Sequence, residues 1–159
     1  MNPRLTPFLY ALAIFIADRA TKFWIDTRVN SFDIVPVIPG FFNLIHSENR
    51  GMAFSLLADA APGLRSIVLI GVSIVVLGFV LTMLWQAAAR LQRVALTLVL
   101  GGALGNLYDR IMRGSVTDFL DLYLGDSHWP TFNVADSAIT IGALLLAFDL
   151  FAGKRKHVP

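Results

Sequence analysis

The chain of 159 residues contains no cysteine and has few charged residues. The absence of cysteine excludes disulfide bonds, thiolate nucleophiles and cysteine-ligated metals. Charged residues make up 15% of the chain, compared with about 25% in an average soluble domain. Hydrophobic residues make up 56%, and the mean hydropathy is +0.67. Lipid is therefore expected to solvate a large part of the surface.

A basic stripe interleaved with aromatic residues is also missing, although the isoelectric point is about 9.3. Proteins that bind nucleic acid usually carry such a stripe, so no nucleic-acid partner is predicted. The densest basic run is Lys154–Lys156 near the C-terminus. Basic residues beside a membrane span are attracted to anionic lipids, and membrane lipids are the predicted partners of this run.

Four apolar segments are long enough to cross a bilayer, which takes about 20 residues. They are residues 5–25, 66–88, 94–112 and 136–153. A secretory signal peptide is an alternative explanation of the first segment, but Asp18 and Arg19 follow it in place of a cleavage site of small residues. The chain is therefore predicted to be a single all-α polytopic membrane domain, residues 1–159, with four transmembrane helices.

The connection formed by residues 26–63 has a different composition. It contains Pro36, Pro39 and Pro62 together with the β-prone pieces "FDIVPVI" and "FFNLI". Short runs of this kind, bounded by proline and glycine, predict strands. The connection is therefore predicted to form a small β-rich flap.

Glycines in the third apolar segment suggest close helix packing. Gly101 and Gly105 have the spacing at which small residues let membrane helices approach each other. A packing role is the predicted one for both, because nothing nearby supports a phosphate-binding loop.

Basic residues near the ends of the spans indicate the orientation. With four spans, both termini and the short link between the second and third spans lie on one side of the membrane. That side carries Arg4, Arg90, Arg93, Lys154, Arg155 and Lys156 in short segments. The other side carries seven basic residues, so the count alone does not decide, but positive charges in short segments near span ends favour the cytoplasm. Both termini are therefore predicted to be cytoplasmic, and the two long connections extracytoplasmic.

Polar residues that are costly in a membrane gather near the extracytoplasmic face of this arrangement. A carboxylate at the bilayer centre costs about 2.5–3.5 kcal/mol, so such residues face a bundle interior or a water-filled cavity. The gathered residues are Asp18, Asn106, Asp109, Arg110, Asp118 and Asp136. Their convergence on one face is the strongest functional signal that the residues provide on their own.

Several acids also have simpler explanations. Asp18 and Lys22 have the i,i+4 spacing of a structural helix ion pair. Asn133 could cap a helix whose first turn holds Asp136, where the helix dipole favours a negative charge. Two further acids, Asp121 and Asp126, are predicted to be solvated loop residues. Asp149 is predicted to be an interfacial partner of the basic C-terminal run.

The functional interpretation pairs Asp118, in a loop, with Asp136, at a helix start. Two carboxyls held close together cannot both ionise cheaply, so they share a proton. The ionised member can take a proton from water while the neutral one polarises a scissile carbonyl, which is aspartic protease chemistry. This chemistry uses no metal or cofactor. Asn106, Arg110 and Asn133 would orient the acids or the substrate backbone.

Two other classes of function remain open from the spacing alone. In a metal-dependent membrane lipid phosphotransferase, Asp109, Asp118 and Asp136 would hold Mg²⁺ and Arg110 would bind phosphate. In a non-enzymatic transporter or scaffold, the charges would form an ion path or packing pairs. A transporter would be expected to carry acids deeper in its spans and on both sides of the midplane.

Five motifs, in this order along the whole chain, carry a family resemblance: "DRATKFW", "NRGMAFS", "GGALGNLYDR", "VTDF" and "FNVADSAI". With them the sequence closely resembles the lipoprotein signal peptidases, the type II signal peptidases of bacteria. Two positions depart from the expected pattern. Arg19 stands where glutamine is expected, and Thr117 stands where a second valine is usual.

The resemblance implies an aspartic endopeptidase of the bacterial inner (cytoplasmic) membrane, with four helices and an active site at the extracytoplasmic face. Such an enzyme removes signal peptides from prolipoproteins by cleaving before a diacylglyceryl-modified cysteine, and globomycin-type peptides inhibit it. The family motifs make Asp118 and Asp136 the catalytic pair. The positions that line or support the site are Asn49, Gly51, Asn106, Arg110 and Asn133. The β-rich flap of the family corresponds to residues 26–63.

Overall fold

The computed structural model describes residues 5–51 and 62–154, and these residues form a mostly helical bundle with a small antiparallel sheet. The helices are α1 (Thr6–Arg28), α2 (Pro62–Gln86), α3 (Arg90–Arg113) and α4 (Val134–Lys154). The strands are β1 (Ile34–Ile38), β2 (Phe42–Asn49), β3 (Val116–Leu124) and β4 (Ser127–His128). Each predicted apolar segment thus corresponds to one helix, and the helix ends differ from the predicted boundaries by a few residues.

Helix α3 is central to the bundle, because it packs against α1, α2 and α4. Its small residues make this packing possible. A Cβ atom added at Gly101 would lie 2.7 Å from the Cβ of Ile14, and one added at Gly105 would lie 2.5 Å from Oδ2 of Asp18. The packing role predicted for the two glycines is therefore confirmed. Gly105 also lets α3 approach a buried carboxylate.

Two helices among the described residues are long and apolar enough to cross a membrane. They are Gly63–Gln86 and Val134–Ala152. Helices α1 and α3 carry more charge, so composition alone supports two of the four predicted spans. Many of the charges on α1 and α3 point inward: Asp18, Lys22 and Asp109 are fully buried.

The sheet joins both long connections. Its strand order is β1-β2-β3-β4, and all neighbours are antiparallel. Strands β1 and β2 lie in the predicted flap, whereas β3 and β4 come from the second connection. Residues 52–61 of the predicted flap lie outside the described part of the chain.

Pairing of β2 with β3 places Asp118 opposite Ser47. The prediction that Asp118 lies in a loop was therefore wrong. The first four residues of β3 are all buried, so the alternation of buried and exposed residues that identifies a half-buried strand is missing there. A strand holds Asp118 more rigidly than a loop would.

Candidate active site

Asp136 is held by the start of α4. Asn133 precedes the helix, and its side-chain Oδ1 accepts a hydrogen bond of 2.9 Å from the backbone N–H of Asp136. Oδ2 of Asp136 in turn accepts a hydrogen bond of 3.3 Å from the backbone N–H of Asn133. This reciprocal arrangement is a capping box with aspartate in place of the usual glutamate. The cap that the sequence predicted is present, and it fixes the orientation of the Asp136 carboxylate.

The same asparagine reaches the other acid. Nδ2 of Asn133 donates to Oδ1 of Asp118 over 2.7 Å, and Asn133 is fully buried. Asn106 closes the connection, because its Nδ2 donates to Oδ1 of Asp136 over 2.7 Å and its Oδ1 accepts from Nδ2 of Asn133 over 3.3 Å. The two aspartates, 18 residues apart in the sequence, thus share one hydrogen-bond network.

The second oxygen of Asp118 contacts the end of β2. Nδ2 of Asn49 donates to Oδ2 of Asp118 over 3.0 Å. Oδ1 of Asn49 accepts from the backbone N–H of Gly51 over 2.9 Å, which orients the amide. Gly51 has φ +84°, and Leu69 occupies the space that a Cβ would fill. The positive φ favours glycine there, and a Cβ would also require the Leu69 side chain to move.

A buried ion-pair cluster formed by Asp18, Arg19, Lys22 and Asp109 supports the network. The ammonium of Lys22 contacts Oδ2 of Asp18 at 2.9 Å and Oδ2 of Asp109 at 2.8 Å. Its third partner is Oδ1 of Asn106 at 3.0 Å. The buried ammonium is thus compensated by two carboxylates and one amide oxygen. The Asp18–Lys22 pair expected from the sequence is one part of this larger cluster.

Asp18 links the ion-pair cluster to α4. Its Oδ1 accepts a hydrogen bond of 2.9 Å from the backbone N–H of Ala135. This N–H belongs to the first turn of α4, where backbone donors have no acceptor within the helix. Asp18 therefore helps to place the turn that carries Asp136.

Arg19 is a participant to which the sequence reasoning gave no role in the site, whereas its partner Asp109 was among the gathered polar residues. Nη1 of Arg19 contacts Oδ1 of Asp109, and its guanidinium lies 4.6 Å from the centre of the Tyr108 ring. The departure of Arg19 from the expected glutamine was the available signal. The added positive charge balances the two acids of the cluster.

Arg110 lies near the acids without donating to either carboxylate in the described part of the chain. Nη1 of Arg110 donates to Oγ of Ser73 on α2 over 3.4 Å. Its charge interacts with those of Asp136, Asp118 and Asp109. Arg110 thus connects α2 to the site and contributes positive potential beside the acids.

The environment of Asp118 favours its protonated form. Burial and the nearby charge of Asp136 raise the pKa of Asp118, whereas the hydrogen bonds from Asn49 and Asn133 lower it, and the resulting pKa is about 6. A carboxyl with this pKa retains its proton in about half of the molecules at pH 6 and in about a tenth at pH 7, far more than an ordinary aspartate does. The arrangement can therefore supply one proton donor and one proton acceptor side by side.

The other acids differ from the sequence expectation in part. Asp126 is exposed, as predicted. Asp121 is only 4% exposed and hydrogen-bonds to Nδ1 of His128 at 2.7 Å and Nδ2 of Asn43 at 2.9 Å, so the prediction of a solvated loop acid was wrong. Asp149 accepts from Nε2 of Gln92 over 2.9 Å. Its predicted partners, the side chains of residues 154–156, lie outside the described residues.

The contacts of Asp109 bear on the metal-dependent alternative. That alternative needs Asp109, Asp118 and Asp136 around one Mg²⁺. Lys22 and Arg19 already engage both oxygens of Asp109. No group of three or more histidine and acidic side chains within residues 5–51 and 62–154 is placed to hold a metal ion.

Comparison with known proteins identifies the family of the chain. A family model described as "Signal peptidase (SPase) II" matches residues 10–152. The lipoprotein signal peptidase of Solibacter usitatus (strain Ellin6076) is 50% identical over 149 residues, which cover 92% of this chain and 90% of that protein. The lipoprotein signal peptidase of Sulfurihydrogenibium sp. (strain YO3AOP1) is 40% identical over 161 residues, which cover 98% of each chain.

A solved structure described as "Bacterial membrane enzyme structure by the in meso method at 2.3 A resolution" has the same fold. Its TM-score is 0.84 at 31% sequence identity, over 96% of this chain and 92% of that chain. The sequence matches and the shared fold extend over the helices and strands that carry the site. The chain therefore belongs to the signal peptidase II family, the membrane lipoprotein signal peptidases, whose substrates are prolipoproteins.

Proposed function

We propose that the chain is an aspartic endopeptidase in which Asp118 and Asp136 activate water to cleave the signal peptide from a prolipoprotein. The observation that carries this proposal is the position of Asn133 between the two acids. Its side chain donates to Asp118, and its backbone N–H donates to the carboxylate of Asp136. Two carboxyls held by one buried residue can divide a single proton between them.

The surroundings of the two acids support a division of roles. Burial raises the pKa of Asp118 to about 6, so Asp118 is the proposed proton donor. Asp136 lies in the first turn of α4, where the helix dipole favours a negative charge. Asn106 also donates to its carboxylate. Asp136 is therefore the proposed base.

The proposed reaction begins with water between the carboxyls. Asp136 accepts a proton from the water, whose oxygen bonds to the scissile carbonyl carbon, while Asp118 donates its proton to the carbonyl oxygen. The resulting diol collapses as Asp118 recovers a proton from it and Asp136 donates its proton to the departing amine. The C–N bond breaks, and both acids return to their starting states. The leaving amine is that of the diacylglyceryl-modified cysteine.

The remaining site residues have supporting roles in this proposal. Asn49 and Asn133 orient the Asp118 carboxyl, and Gly51 orients Asn49. Asn106 orients Asp136 and connects it to Lys22. Arg110 contributes positive potential beside the substrate backbone. Asp18 and Lys22 form a structural pair beneath the site.

The proposed setting is the bacterial inner membrane. Residues 1–159 would form a single membrane domain with four transmembrane helices, both termini in the cytoplasm and the site at the extracytoplasmic face. The inward-facing charges of α1 support its insertion, because Asp18 and Lys22 compensate each other inside the bundle. The sheet beside the acids would serve as the β-rich flap over the lipidated substrate. Globomycin-type peptides would inhibit by occupying the same space.

The experiment that tests this function uses purified enzyme, a diacylglyceryl-modified prolipoprotein and intact-mass analysis of the products. We expect one cut, directly before the lipidated cysteine, at a rate unchanged by a strong chelator. Prolipoprotein without the diacylglyceryl group is the matched control and should be cleaved at least about tenfold more slowly, because the lipid positions the scissile bond. Loss of cleavage on chelation would contradict the metal-free mechanism.

A further inference from the structure

An apolar groove lies between α1 and α3 at the end of the bundle away from Asp118 and Asp136. We define the α1–α3 groove by its lining residues, which include Ala13, Ala17, Val94 and Leu98, and its cavity volume is about 840 Å³. The short side chains of Ala13 and Ala17 leave space between the helices. None of the residues that contact the two aspartates lines this groove.

Two arginines lie in the groove wall at its outer end. Arg90 and Arg93 belong to the first turn of α3. Within residues 5–51 and 62–154, neither guanidinium forms an ion pair with an acid, and the first turn of α3 has no acidic residue. The helix dipole disfavours cations at this end of a helix. An external anion between the two guanidinium groups would supply the missing negative partner and reduce the unfavourable interaction with the helix dipole.

The depth of the groove matches one leaflet of a membrane. From Thr6 to Ala17, α1 rises by about 16 Å, close to half of the hydrocarbon thickness of about 30 Å. An acyl chain lying along α1 would therefore reach the bilayer centre beside Ala17. The next residue is Asp18, which belongs to the ion-pair cluster beneath the site.

We propose that the α1–α3 groove binds one anionic phospholipid of the leaflet opposite the active site. Its phosphate contacts Arg90 and Arg93, and one acyl chain follows Ala13 and Ala17. Arginine recognises phosphate through paired N–H donors, which accounts for two arginines at the outer end of the groove. Basic pockets between membrane helices have this ligand preference. The site is separate from the proposed peptidase chemistry and does not depend on it.

The positive charge at the outer end of the groove argues against the signal helix of the substrate as the occupant. Signal peptides begin with a positively charged region followed by the apolar segment. If the signal helix lay in the groove, its positive region would meet Arg90 and Arg93. An acyl chain joined to a negative headgroup fits both the apolar wall of the groove and its basic outer end.

The test measures lipid binding to the full chain in neutral detergent by native mass spectrometry. Phosphatidylglycerol is titrated against phosphatidylcholine with the same acyl chains. We expect one retained phosphatidylglycerol per chain and at least tenfold weaker retention of phosphatidylcholine. The variant R90Q/R93Q should lose this preference. R28Q, which removes a positive charge at the far end of α1, should keep it. Equal phosphatidylglycerol retention by R90Q/R93Q and the unmodified chain would overturn the proposal.

A second variant tests the acyl chain separately from the headgroup. Ala13→Phe fills the groove and leaves both arginines in place, so phosphatidylglycerol binding should fall at least tenfold. Leu12→Phe, one residue away and outside the groove, is the matched control and should bind normally. Inorganic phosphate at the same concentration should not displace the lipid. Unchanged binding by A13F, displacement by phosphate, or cross-linking of a photoreactive residue at position 13 to the signal helix would each overturn the proposal.

Discussion

Asn133 illustrates at the residue scale why the site depends on amides as much as on acids. It caps α4, contacts Asp118 through its side chain and contacts Asp136 through its backbone. The sequence predicted the cap, because Asn133 stands three residues before Asp136. It did not predict the bond to Asp118, since that bond depends on the pairing of β3 with the residues just before α4, where Leu120 lies opposite Phe132. The identity of the gathered residues could be predicted, whereas their hydrogen-bond partners could not.

The proton on Asp118 leads to a prediction about pH. Because burial raises the pKa of Asp118 to about 6, kcat/KM for prolipoprotein cleavage should fall about tenfold per pH unit above that value. Asn49→Ala removes a donor that stabilises the carboxylate, so this alkaline limb should move to higher pH. Asn43→Ala removes an amide from the same strand that contacts Asp121 instead, and the limb should stay in place. If N49A and the unmodified chain had the same alkaline limb in their pH profiles, the assignment of that limb to Asp118 would be contradicted.

The same pKa shift has a consequence for stability. The folded-state pKa of Asp118, about 6, lies above the ordinary value of 3.8. Its contribution to stability is therefore fully present below about pH 4 and is lost as pH rises through about 6. Asp118 weakens the folded state at the pH where the enzyme works, which is expected of a residue kept for chemistry.

Asp121 provides the opposite case and a second prediction. Burial opposes its charge, but the hydrogen bonds with His128 and Asn43 hold the pKa of Asp121 below its usual value. Its contribution to stability is present above the ordinary pKa and is lost as pH falls through the folded-state pKa. Asp121→Asn should therefore destabilise the protein by about 1–3 kcal/mol while kcat stays within about threefold. Thermal unfolding and prolipoprotein cleavage measure the two effects.

Asp126→Asn is the matched control for Asp121→Asn, because Asp126 is an exposed acid in the same connection. It should change neither the unfolding temperature nor the activity. If D121N abolished cleavage while the protein stayed folded, Asp121 rather than Asp118 would be the catalytic acid of β3.

At the scale of elements, the sequence was most informative where a segment consists almost entirely of apolar residues. The uncharged run in α2 and the apolar run in α4 predict spans directly, and both helices pass the test for a membrane span. Helices α1 and α3 do not pass it, because they carry more charged residues, several of which pair with one another inside the bundle. Strand β3 was missed because its burial depends on pairing with β2, about 70 residues earlier in the chain. Such pairing leaves no local pattern to detect.

Helix packing supports a third prediction, which compares two glycines. A Cβ at Gly102 would collide with the carbonyl oxygen of Ala135 on α4, whereas a Cβ at Gly78 on α2 would meet nothing within 4 Å. Gly102→Ala should therefore destabilise the protein by about 1–3 kcal/mol. It should also lower activity, since Ala135 adjoins Asp136. Gly78→Ala should be neutral or stabilising by up to about 1 kcal/mol.

Thermal unfolding in detergent, followed by the cleavage assay, distinguishes the two alanine variants. Equal unfolding temperatures for G102A and G78A would mean that α3 and α4 are not in close contact at Gly102. The account of how Asp136 is placed would then lose its support from the helix packing.

At the scale of the whole molecule, the site lies at one end of the bundle and the α1–α3 groove towards the other. This polarity matches a substrate that lies in the membrane with its scissile bond near one surface. Confinement of enzyme and substrate to one plane reduces the search, and positioning supplies much of the rate. In the proposed topology, water would reach the acids from that surface without crossing the bilayer.

The absence of cysteine makes the proposed topology easy to test, which is the fourth prediction. Ala88→Cys places one thiol in the link between α2 and α3, and Asp126→Cys places one in the turn between β3 and β4. A membrane-impermeant maleimide applied to intact spheroplasts should label D126C and leave A88C unlabelled. After lysis, both should react. Labelling of A88C in intact spheroplasts would contradict cytoplasmic termini.

The shared proton is the central claim, and cleavage by the two asparagine variants tests it most directly. Asp118→Asn and Asp136→Asn keep the shape of each side chain but can neither accept a proton from water nor donate an acidic one. Purified in detergent and shown to be folded by thermal unfolding, each should lower kcat for prolipoprotein cleavage by at least about 10³-fold. The exposed-acid variant Asp126→Asn should cleave at the unmodified rate. Full activity in either D118N or D136N would contradict the account.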